Sequence, residues 1–258
     1  MTARSAARPR LVLGLVLLAM LAPGLALAED QPGSCNVPAY LLASDSALPK
    51  VADALKAGRP LDILVVGSRS STIMTADATA YPWRMQSALQ EKLAAATINV
   101  AVELKVKKTA EEAVAGFAKM MEERKPVLVI WQTGTFDATR SVDPDEFRDA
   151  VDEGVTLMQK AGADVILMNL QYSPRTETMI SSAPYLDNLR VVAQKHDVPL
   201  FDRFAIMREW NEKGEFDLFS PSPGIDLAKR VHDCIGRALS SFVIDAARIN
   251  PGELRIQR

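Results

Sequence analysis

The sequence contains few of the residues that bind nucleic acid. Aromatic residues make up 6% of its 258 residues, and 30 lysines and arginines stand against 32 aspartates and glutamates. The densest basic stretch, residues 105–108, is too short to follow a phosphate backbone, and the aromatics are too few for base stacking. Because 48% of the residues are hydrophobic, the composition also excludes disordered, collagen-like and disulfide-scaffold proteins. We therefore expect a globular protein without a nucleic-acid partner.

The amino-terminal residues have neither the length of a membrane span nor the cysteine of a lipoprotein signal. An apolar run at residues 11–21 follows three arginines, and it is shorter than the roughly 20 residues that cross a bilayer. Ala26-Leu27-Ala28 then places small residues where a signal peptidase cleaves. We expect residues 1–28 to be a secretory signal peptide and the mature chain to be periplasmic or secreted, without a stable membrane span. An uncleaved anchor is the alternative.

The rest of the chain lacks the features that separate domains. Neither a linker rich in proline, glycine or serine nor an internal repeat divides residues 29–258, so a single domain is expected. The sequence has two cysteines, Cys35 and Cys234, and free thiols rarely persist in an oxidising compartment. The pair is predicted to form a disulfide that closes a loop of about 200 residues, worth ~5 kcal/mol in the chain-entropy model.

Short apolar runs alternate with segments of helical periodicity along this domain. The runs predict strands at residues 61–66, 98–102, 127–131, 165–170 and 198–201. The periodic segments predict helices at residues 81–93, 110–123, 144–161, 181–195 and 225–247. Such alternation predicts an α/β fold, a three-layer α/β/α sandwich around a mostly parallel five-stranded sheet. The functional cleft of such a sheet lies at the carboxyl ends of its strands.

Several segments resemble the sequence blocks of the SGNH (GDSL-type) hydrolases. Residues 67–72, Gly-Ser-Arg-Ser-Ser-Thr, followed by residues 81–84, Tyr-Pro-Trp-Arg, resemble the first block. Residues 129–138 are similar to the third, which is commonly Gly-x-Asn-Asp. Residues 163–174 are similar to the next strand and loop of one extracytoplasmic branch, and residues 201–210 with the helix through Cys234 complete the order. The resemblance covers residues 35–245. It implies a flavodoxin-like sandwich and hydrolysis of esters by a serine, a histidine base with its aspartate, and an oxyanion hole.

The residues at the family's catalytic positions depart from its pattern. The nucleophile position holds Arg69, and the oxyanion asparagine position holds Phe136, which cannot donate a hydrogen bond. Residues 104–109, where the second block should supply glycine, contain three lysines and no glycine. With Cys234 as the register, the acid and base positions hold Pro223 and Asp226. The resemblance therefore implies a scaffold that has lost its ester chemistry.

Other residues offer weaker routes to catalysis. Ser68, Ser70 or Ser71 is the fallback nucleophile, although serines in such a turn are usually caps. His232 is expected to point away from the strand ends, and His196 to lie at the amino end of the sheet. Two groups of aspartates could form a carboxylate pair or a metal site: Asp137 with Asp143 and Asp145, or Asp217 with Asp226. Their spacing matches no ligand motif, so solvated or capping roles are favoured for them. We expect neither a metal nor a cofactor.

The strand-end loops define a predicted former active-site cleft. Its members are Arg69, Ser70, Gln132, Gly134, Thr135, Phe136, Asp137, Gln171 and Asp226. Phe136 is expected to fill the oxyanion side, and Arg69 to form a salt bridge with Asp226 across the cleft. The predicted function is binding of an envelope carbohydrate, an acylated ligand or a protein partner. The alternative is an active esterase, deacetylase or acyltransferase on envelope polysaccharide or lipid esters.

Overall fold

The computed structural model describes residues 1–2, 35–73, 77–219 and 224–254. The chain divides into two compact units, residues 1–31 and residues 32–258, and every element described below belongs to the second. The predicted signal peptide and Pro223 lie outside the described residues, apart from Met1 and Thr2. Within the described ranges, no helix combines the length and the apolar composition that a bilayer crossing requires.

Five parallel strands form the sheet at the centre of the domain. They are β1 (Leu61–Gly67), β2 (Ile98–Leu104), β3 (Leu128–Gln132), β4 (Asp164–Met168) and β5 (Leu200–Phe201). The strand order is β2-β1-β3-β4-β5, with every neighbouring pair parallel. The central strands β3 and β4 are buried along their whole length, as expected for strands that are covered on both faces. The predicted five-stranded parallel sheet is confirmed.

Helices connect and follow these strands. They are α1 (Pro49–Lys56), α2 (Tyr81–Lys92), α3 (Ala110–Val114), α4 (Phe117–Arg124), α5 (Thr135–Arg140), α6 (Pro144–Lys160), α7 (Pro174–Glu177), α8 (Ala183–His196), α9 (Arg203–Glu212), α10 (Ile225–Ala246) and α11 (Pro251–Leu254). Helix α6 begins as the sequence predicts, because Asp143 accepts the amide N–H groups of Asp145 and Glu146 and Pro144 occupies the first turn.

The helices lie in two layers against the sheet. On one side, α6 packs against α3, α4 and α8, and Trp131 of β3 contacts Phe117 edge to face at 4.9 Å between ring centroids. On the other side, α10 packs along α2, and Phe242 meets Phe201 of β5 at 5.4 Å. Both faces of the sheet therefore bury aromatic rings, which gives the predicted three-layer sandwich.

A disulfide joins Cys35 to Cys234 of α10, with the two Cα atoms 5.0 Å apart. This confirms the predicted pairing. The indole N–H of Trp210 in α9 also donates to the carbonyl of Asn36 at 2.9 Å. The segment that precedes α1 is therefore attached to the domain both by a covalent bond and by a buried side chain.

The structure differs from the sequence prediction in the helices. The predicted helix at residues 110–123 is two helices, α3 and α4, because the chain breaks at Ala115 and Gly116. Helices α1, α5, α7, α9 and α11 were not predicted. Helix α9 starts where Asp202 accepts the amide of Ala205 at 2.9 Å, so the cap follows strand β5 directly and leaves no loop to mark the change.

Candidate functional site

The turn after β1 contains the serines that the sequence offered as nucleophiles. Ser68 caps a short 3₁₀ turn at residues 69–71, in which its hydroxyl accepts the amide of Ser70 and the hydroxyl of Ser71 accepts the amide of Ser68. Gly67 permits this turn, since a Cβ there would lie 2.1 Å from Ser71 Oγ. The serines therefore cap and stabilise the turn at the carboxyl end of the sheet.

Gln132, the last residue of β3, connects this turn to the neighbouring strand. Its side-chain oxygen accepts from Ser71 Oγ at 2.7 Å and from the hydroxyl of Tyr81 at 3.2 Å. Its side-chain nitrogen donates to Ser70 Oγ at 2.7 Å and to Ser68 Oγ at 3.2 Å. All three serine hydroxyls thus bind the side-chain amide of Gln132. Burial raises the pKa of the Tyr81 phenol.

Arg203, the first residue of α9, places a positive charge next to Gln132 and Ser70. Its side chain is 1% exposed, and its terminal nitrogens donate to Gln132 Oε1 and to Gln171 Oε1, each at 3.1 Å, with longer bonds of 3.4 Å to Ser70. The guanidinium also lies 5.5 Å from the centre of the Tyr81 ring. Burial lowers the pKa of Arg203 to about 10, so it stays charged at neutral pH.

No carboxylate of the described residues neutralises Arg203. Its hydrogen-bond acceptors are amide, hydroxyl and peptide oxygens, and its Nε is buried without a partner among the described residues. A buried cation normally has an ionic partner, because desolvation costs several kcal/mol. This cluster of neutral acceptors around an unpaired charge is the main electrostatic feature of the site.

His232 lies in the same cluster, which corrects the expectation that it points away from the strand ends. It is 8% exposed, and its Nδ1 accepts the backbone N–H of Tyr81 at 3.0 Å. The proton of the neutral ring must therefore be on Nε2. Burial, and next the charge of Arg203, lowers the pKa of His232 to about 3. The reason for the correction is that α10 packs on the amino end of α2, which turns this face of α10 inward.

Two cavities flank the Arg203 cluster. One, of about 250 Å³, has Arg203, His232 and Gln171 in its wall. The other, of about 360 Å³, is lined by Ser68, Arg69, Ser70, Val106, Lys107, Thr135, Phe136, Thr139, Gln171 and Thr176. Because Gln171 belongs to both walls and accepts from Arg203, the hydrogen bond between these two residues lies at the boundary of the cavities.

The residues after β3 form the opposite wall of the larger cavity. Gly134 has φ +96° and a Cβ there would lie 2.7 Å from Leu170, so glycine is required at this turn. Thr135 Oγ1 is buried without a hydrogen-bond partner among the described residues. Phe136 is half-buried and contacts the guanidinium of Arg140 at 5.7 Å, and it lines the cavity rather than the core. Asp137 is buried and caps α3 through the amide of Ala110 at 2.8 Å.

Asp226 lies outside the cleft, which corrects its predicted position. Its side chain is 89% exposed and pairs with Lys229 at 3.6 Å on the outer surface of α10. The predicted shielded pair with Arg69 is therefore not formed, because α10 presents His232 and not its first turn to the site. Arg69 itself is exposed and lines the larger cavity.

The remaining candidates lie elsewhere in the fold. Asp143 caps α6, as described above. It lies near Asp145 because its side chain accepts the amide N–H of that residue. His196 lies at the amino end of the sheet, where its Nε2 is 2.7 Å from Asp152. Among the described residues, no three histidine, cysteine, aspartate or glutamate side chains are grouped as a metal would need.

Three central residues of the cluster were not predicted as site residues. Tyr81 and Arg203 lie in segments that carry the family resemblance, at residues 81–84 and 201–210, and this position was the available signal. Arg203 comes two residues after the apolar strand β5, and a buried arginine at such a position is unusual. For His232 the periodicity of α10 places it near Val231 and Ile235, on the apolar side of the helix.

The sandwich, with its cleft at the carboxyl ends of the strands, has the fold of a solved lipolytic protein of the G-D-S-L family from Desulfitobacterium hafniense, which is 15% identical with a TM-score of 0.53 over 70% of this chain and 99% of that one. The chain belongs to the non-GDSL lipase-like family, which residues 34–249 match. Among curated proteins, none matches the chain.

Solved structures share the fold at low sequence identity. A two-domain esterase active on acetylated mannans is 14% identical, with a TM-score of 0.63 over 81% of this chain and 56% of that one. A catalytic mutant of Axe2, an acetylxylan esterase from Geobacillus stearothermophilus, is 18% identical, with a TM-score of 0.58 over 70% and 93%. The esterase EstA from Pseudoalteromonas sp. is 16% identical, with a TM-score of 0.55 over 69% and 96%.

Proposed function

We propose that this protein is an extracytoplasmic binding protein on an SGNH scaffold, and that it does not hydrolyse esters. The observation that carries the proposal is the hydrogen bonding of the serines. The Ser70 hydroxyl bonds to Gln132, Arg203 and the hydroxyl of Ser68. The Ser71 hydroxyl bonds to Gln132, Tyr81 and the amide of Ser68. A serine nucleophile needs an adjacent base that takes its proton, and neither hydroxyl bonds to a histidine of the described residues.

The state of His232 supports the same conclusion. Its Nδ1 is occupied by the amide of Tyr81, and a base with a pKa of about 3 takes up a proton poorly at neutral pH. No carboxylate bonds to this ring among the described residues. Since the parts of a catalytic triad act as one unit, losing the nucleophile position, the base contact and the orienting acid removes most of the rate.

The binding surface is the pair of cavities on either side of Arg203. The ligand classes that we propose are those of the cell envelope: a carbohydrate, an acylated ligand or a protein partner. The disulfide between Cys35 and Cys234 supports an oxidising location, and we propose that the chain is exported and cleaved after about Ala28. Esterase activity on acetylated polysaccharides belongs to the structural relatives, and it suggests envelope polysaccharide as the first ligand to examine.

A second candidate is an active esterase, deacetylase or acyltransferase. The observation that favours it is that His232 and the serines lie at the same end of the sheet, in contact with one network through Tyr81. In this alternative, Nδ1 of His232 would release the amide of Tyr81 and carry the ring proton instead, which would leave Nε2 free to act as the base.

Fluorophosphonate labelling distinguishes the two candidates. The mature protein is incubated with a fluorophosphonate probe and, separately, with an aryl acetate, beside a hydrolytic SGNH esterase as a positive control. We expect neither labelling nor ester hydrolysis above the rate of the heat-denatured protein. Labelling that disappears in one of the variants Ser68→Ala, Ser70→Ala or Ser71→Ala, with loss of hydrolysis in the same variant, would establish the enzyme.

A further inference from the structure

The smaller cavity has one polar end and one apolar side. Its wall is formed by Gln171, Tyr172, Ser173, Arg175, Arg203, Met207, Leu218, Leu227, Ala228, Val231 and His232. None of these residues is acidic, and two are arginines. The cavity therefore offers hydrogen-bond donors and positive charge at one end, and aliphatic surface along α9 and α10.

The polar end is built from buried donors. Arg203 is 1% exposed and carries a charge that no described carboxylate balances. His232 must carry its proton on Nε2, since Nδ1 accepts from Tyr81, and no described residue accepts from that Nε2. Gln171 uses its oxygen for Arg203, which leaves its amide N–H groups as donors. His232 and Gln171 therefore supply free donors, while Arg203, whose terminal nitrogens are already bonded, supplies a buried positive charge. The exposed Arg175 adds a second, solvated charge to the wall, and this combination suits an anionic acceptor.

The apolar side of the cavity extends well beyond its polar end. Met207 and Val231 are buried, and Leu218 and Leu227 are partly buried and extend the cavity wall. Phe219, next to Leu218, is 68% exposed, and Ile225, two residues before Leu227, is also exposed. Exposed large apolar side chains next to an apolar cavity wall are typical of a surface that meets an apolar ligand.

We propose that this cavity binds an alkyl carboxylate, with the carboxylate at Arg203 and His232 and the alkyl chain along Leu227 and Val231. The inference rests on the proposed function, because it assigns the ligand of a cleft that binds and does not hydrolyse. A carboxylate supplies the one negative charge that the buried guanidinium needs. A phosphate monoester carries about −1.5 to −2 at neutral pH, which exceeds the charge of the buried Arg203 beside a neutral imidazole. The second arginine of the wall, Arg175, is exposed to solvent and therefore compensates little of the excess.

Calorimetric titration of the mature protein with four probes tests the assignment. Octanoate combines head group and chain, acetate keeps the head group alone, octanol keeps the chain without charge, and octyl phosphate changes the head group. We expect octanoate to bind at least tenfold more tightly than each of the other three. Equal affinity for octanoate and octanol, or no binding of octanoate, would overturn the inference.

Two variants locate the binding without touching the buried cation, whose removal could unfold the protein. Ala228→Phe should fill the cavity and weaken octanoate binding by tenfold or more, because Ala228 lines it and is partly exposed. The matched control is Ala118→Phe on the exposed surface of α4, which should bind octanoate as the unmodified protein does. Unchanged binding by Ala228→Phe would place the ligand elsewhere and reject the site.

The two histidines give an internal reporter. The chain contains two histidines, and octanoate should shift the ring NMR signals of His232 but not those of His196, which lies at the opposite end of the sheet against Asp152. These outcomes are separate from the labelling experiment. Failure to bind octanoate in an unreactive protein rejects the ligand assignment alone, whereas a labelled serine rejects the proposed function whatever octanoate does.

Discussion

At the scale of single residues, one buried charge sets the chemistry of the site. Arg203 depends on amide and hydroxyl oxygens for its hydrogen bonds, and it lies near the ring of Tyr81 and the imidazole of His232. A positive charge in a medium of low polarity lowers the proton affinity of its neighbours. The neutral form of His232 and the charged form of Arg203 therefore stabilise each other.

The first prediction concerns this coupling. The pKa of His232 is about 3 in the folded protein, against an ordinary value of 6.5. Between these values the unfolded chain binds a proton that the native state does not, so the free energy of unfolding falls as the pH is lowered. From about pH 7 to pH 4, the unmodified protein should lose roughly 3 kcal/mol more than His232→Asn does. Urea denaturation at a series of pH values measures the difference.

Asparagine is the appropriate replacement because its side-chain oxygen can accept the amide of Tyr81 in place of Nδ1. The carboxyls with shifted pKa values, such as Asp137 and Asp152, are present in both proteins, so their effects cancel in the comparison. Parallel stability curves for the two proteins would show that His232 is protonated equally in the folded and unfolded states, and the prediction would be wrong.

Only some residues of this site could be located from the sequence. Gln132 ends a strand, and Ser70 and Gln171 lie in the loops after strands. Their place at the carboxyl edge of the sheet could therefore be predicted from the parallel topology alone. The burial of Arg203 could not, since an arginine has the same local preferences in a solvated helix as in a buried one. The direction of His232 depends on which face of α10 contacts α2, and that contact joins segments that are far apart in the chain.

At the scale of elements, the packing of α10 on α2 positions the site. Gly236 allows the two helices to approach closely, because a Cβ at this position would lie 2.5 Å from Arg84 Cβ and 2.8 Å from the backbone nitrogen of Met85. His232 is one helical turn before Gly236, and its partner Tyr81 begins α2. The close approach therefore holds the imidazole against the amino end of α2.

The second prediction follows from this contact. Gly236→Ala should push α10 away from α2 and reduce the free energy of unfolding by about 1–3 kcal/mol, since backbone atoms cannot move aside as a flexible side chain could. The same change should shift the NMR signals of His232. Gly224→Ala is the matched control at the start of α10, because nothing lies within 4 Å of the added Cβ, and it should alter stability by less than about 0.5 kcal/mol.

The elements themselves were largely predictable from sequence. The inner strands β1, β3 and β4 are short apolar runs, and burial on both faces made them easy to recognise. Helix α6 has both a cap and a first-turn proline. The break at Gly116 was missed because an isolated glycine inside a helical pattern is often tolerated. Helix α9 was missed because it follows β5 without a loop.

At the scale of the whole molecule, the segment around Cys35 depends on contacts with the end of the chain. The disulfide connects residues that are 199 positions apart, so it restricts the unfolded chain more than a local bridge would. Trp210 and the carbonyl of Asn36 add a hydrogen bond at 2.9 Å beside it. The long helix α10 therefore contributes both to the site, through His232, and to the attachment of the amino-terminal segment, through Cys234.

The third prediction tests how much this connection stabilises the protein. The double variant Cys35→Ser, Cys234→Ser should fold, because the sheet and both helix layers are independent of the disulfide, but its free energy of unfolding should be lower by about 2–5 kcal/mol. Denaturant titration followed by tryptophan fluorescence measures the loss, and Trp210 reports whether the segment stays in place. The unmodified protein in reducing agent should reach the stability of the double variant, whereas the double variant should not respond to the reductant. Equal stability of the oxidised protein and the double variant would mean that the long loop is already restricted in the unfolded state, in which case the chain-entropy argument does not hold for this protein.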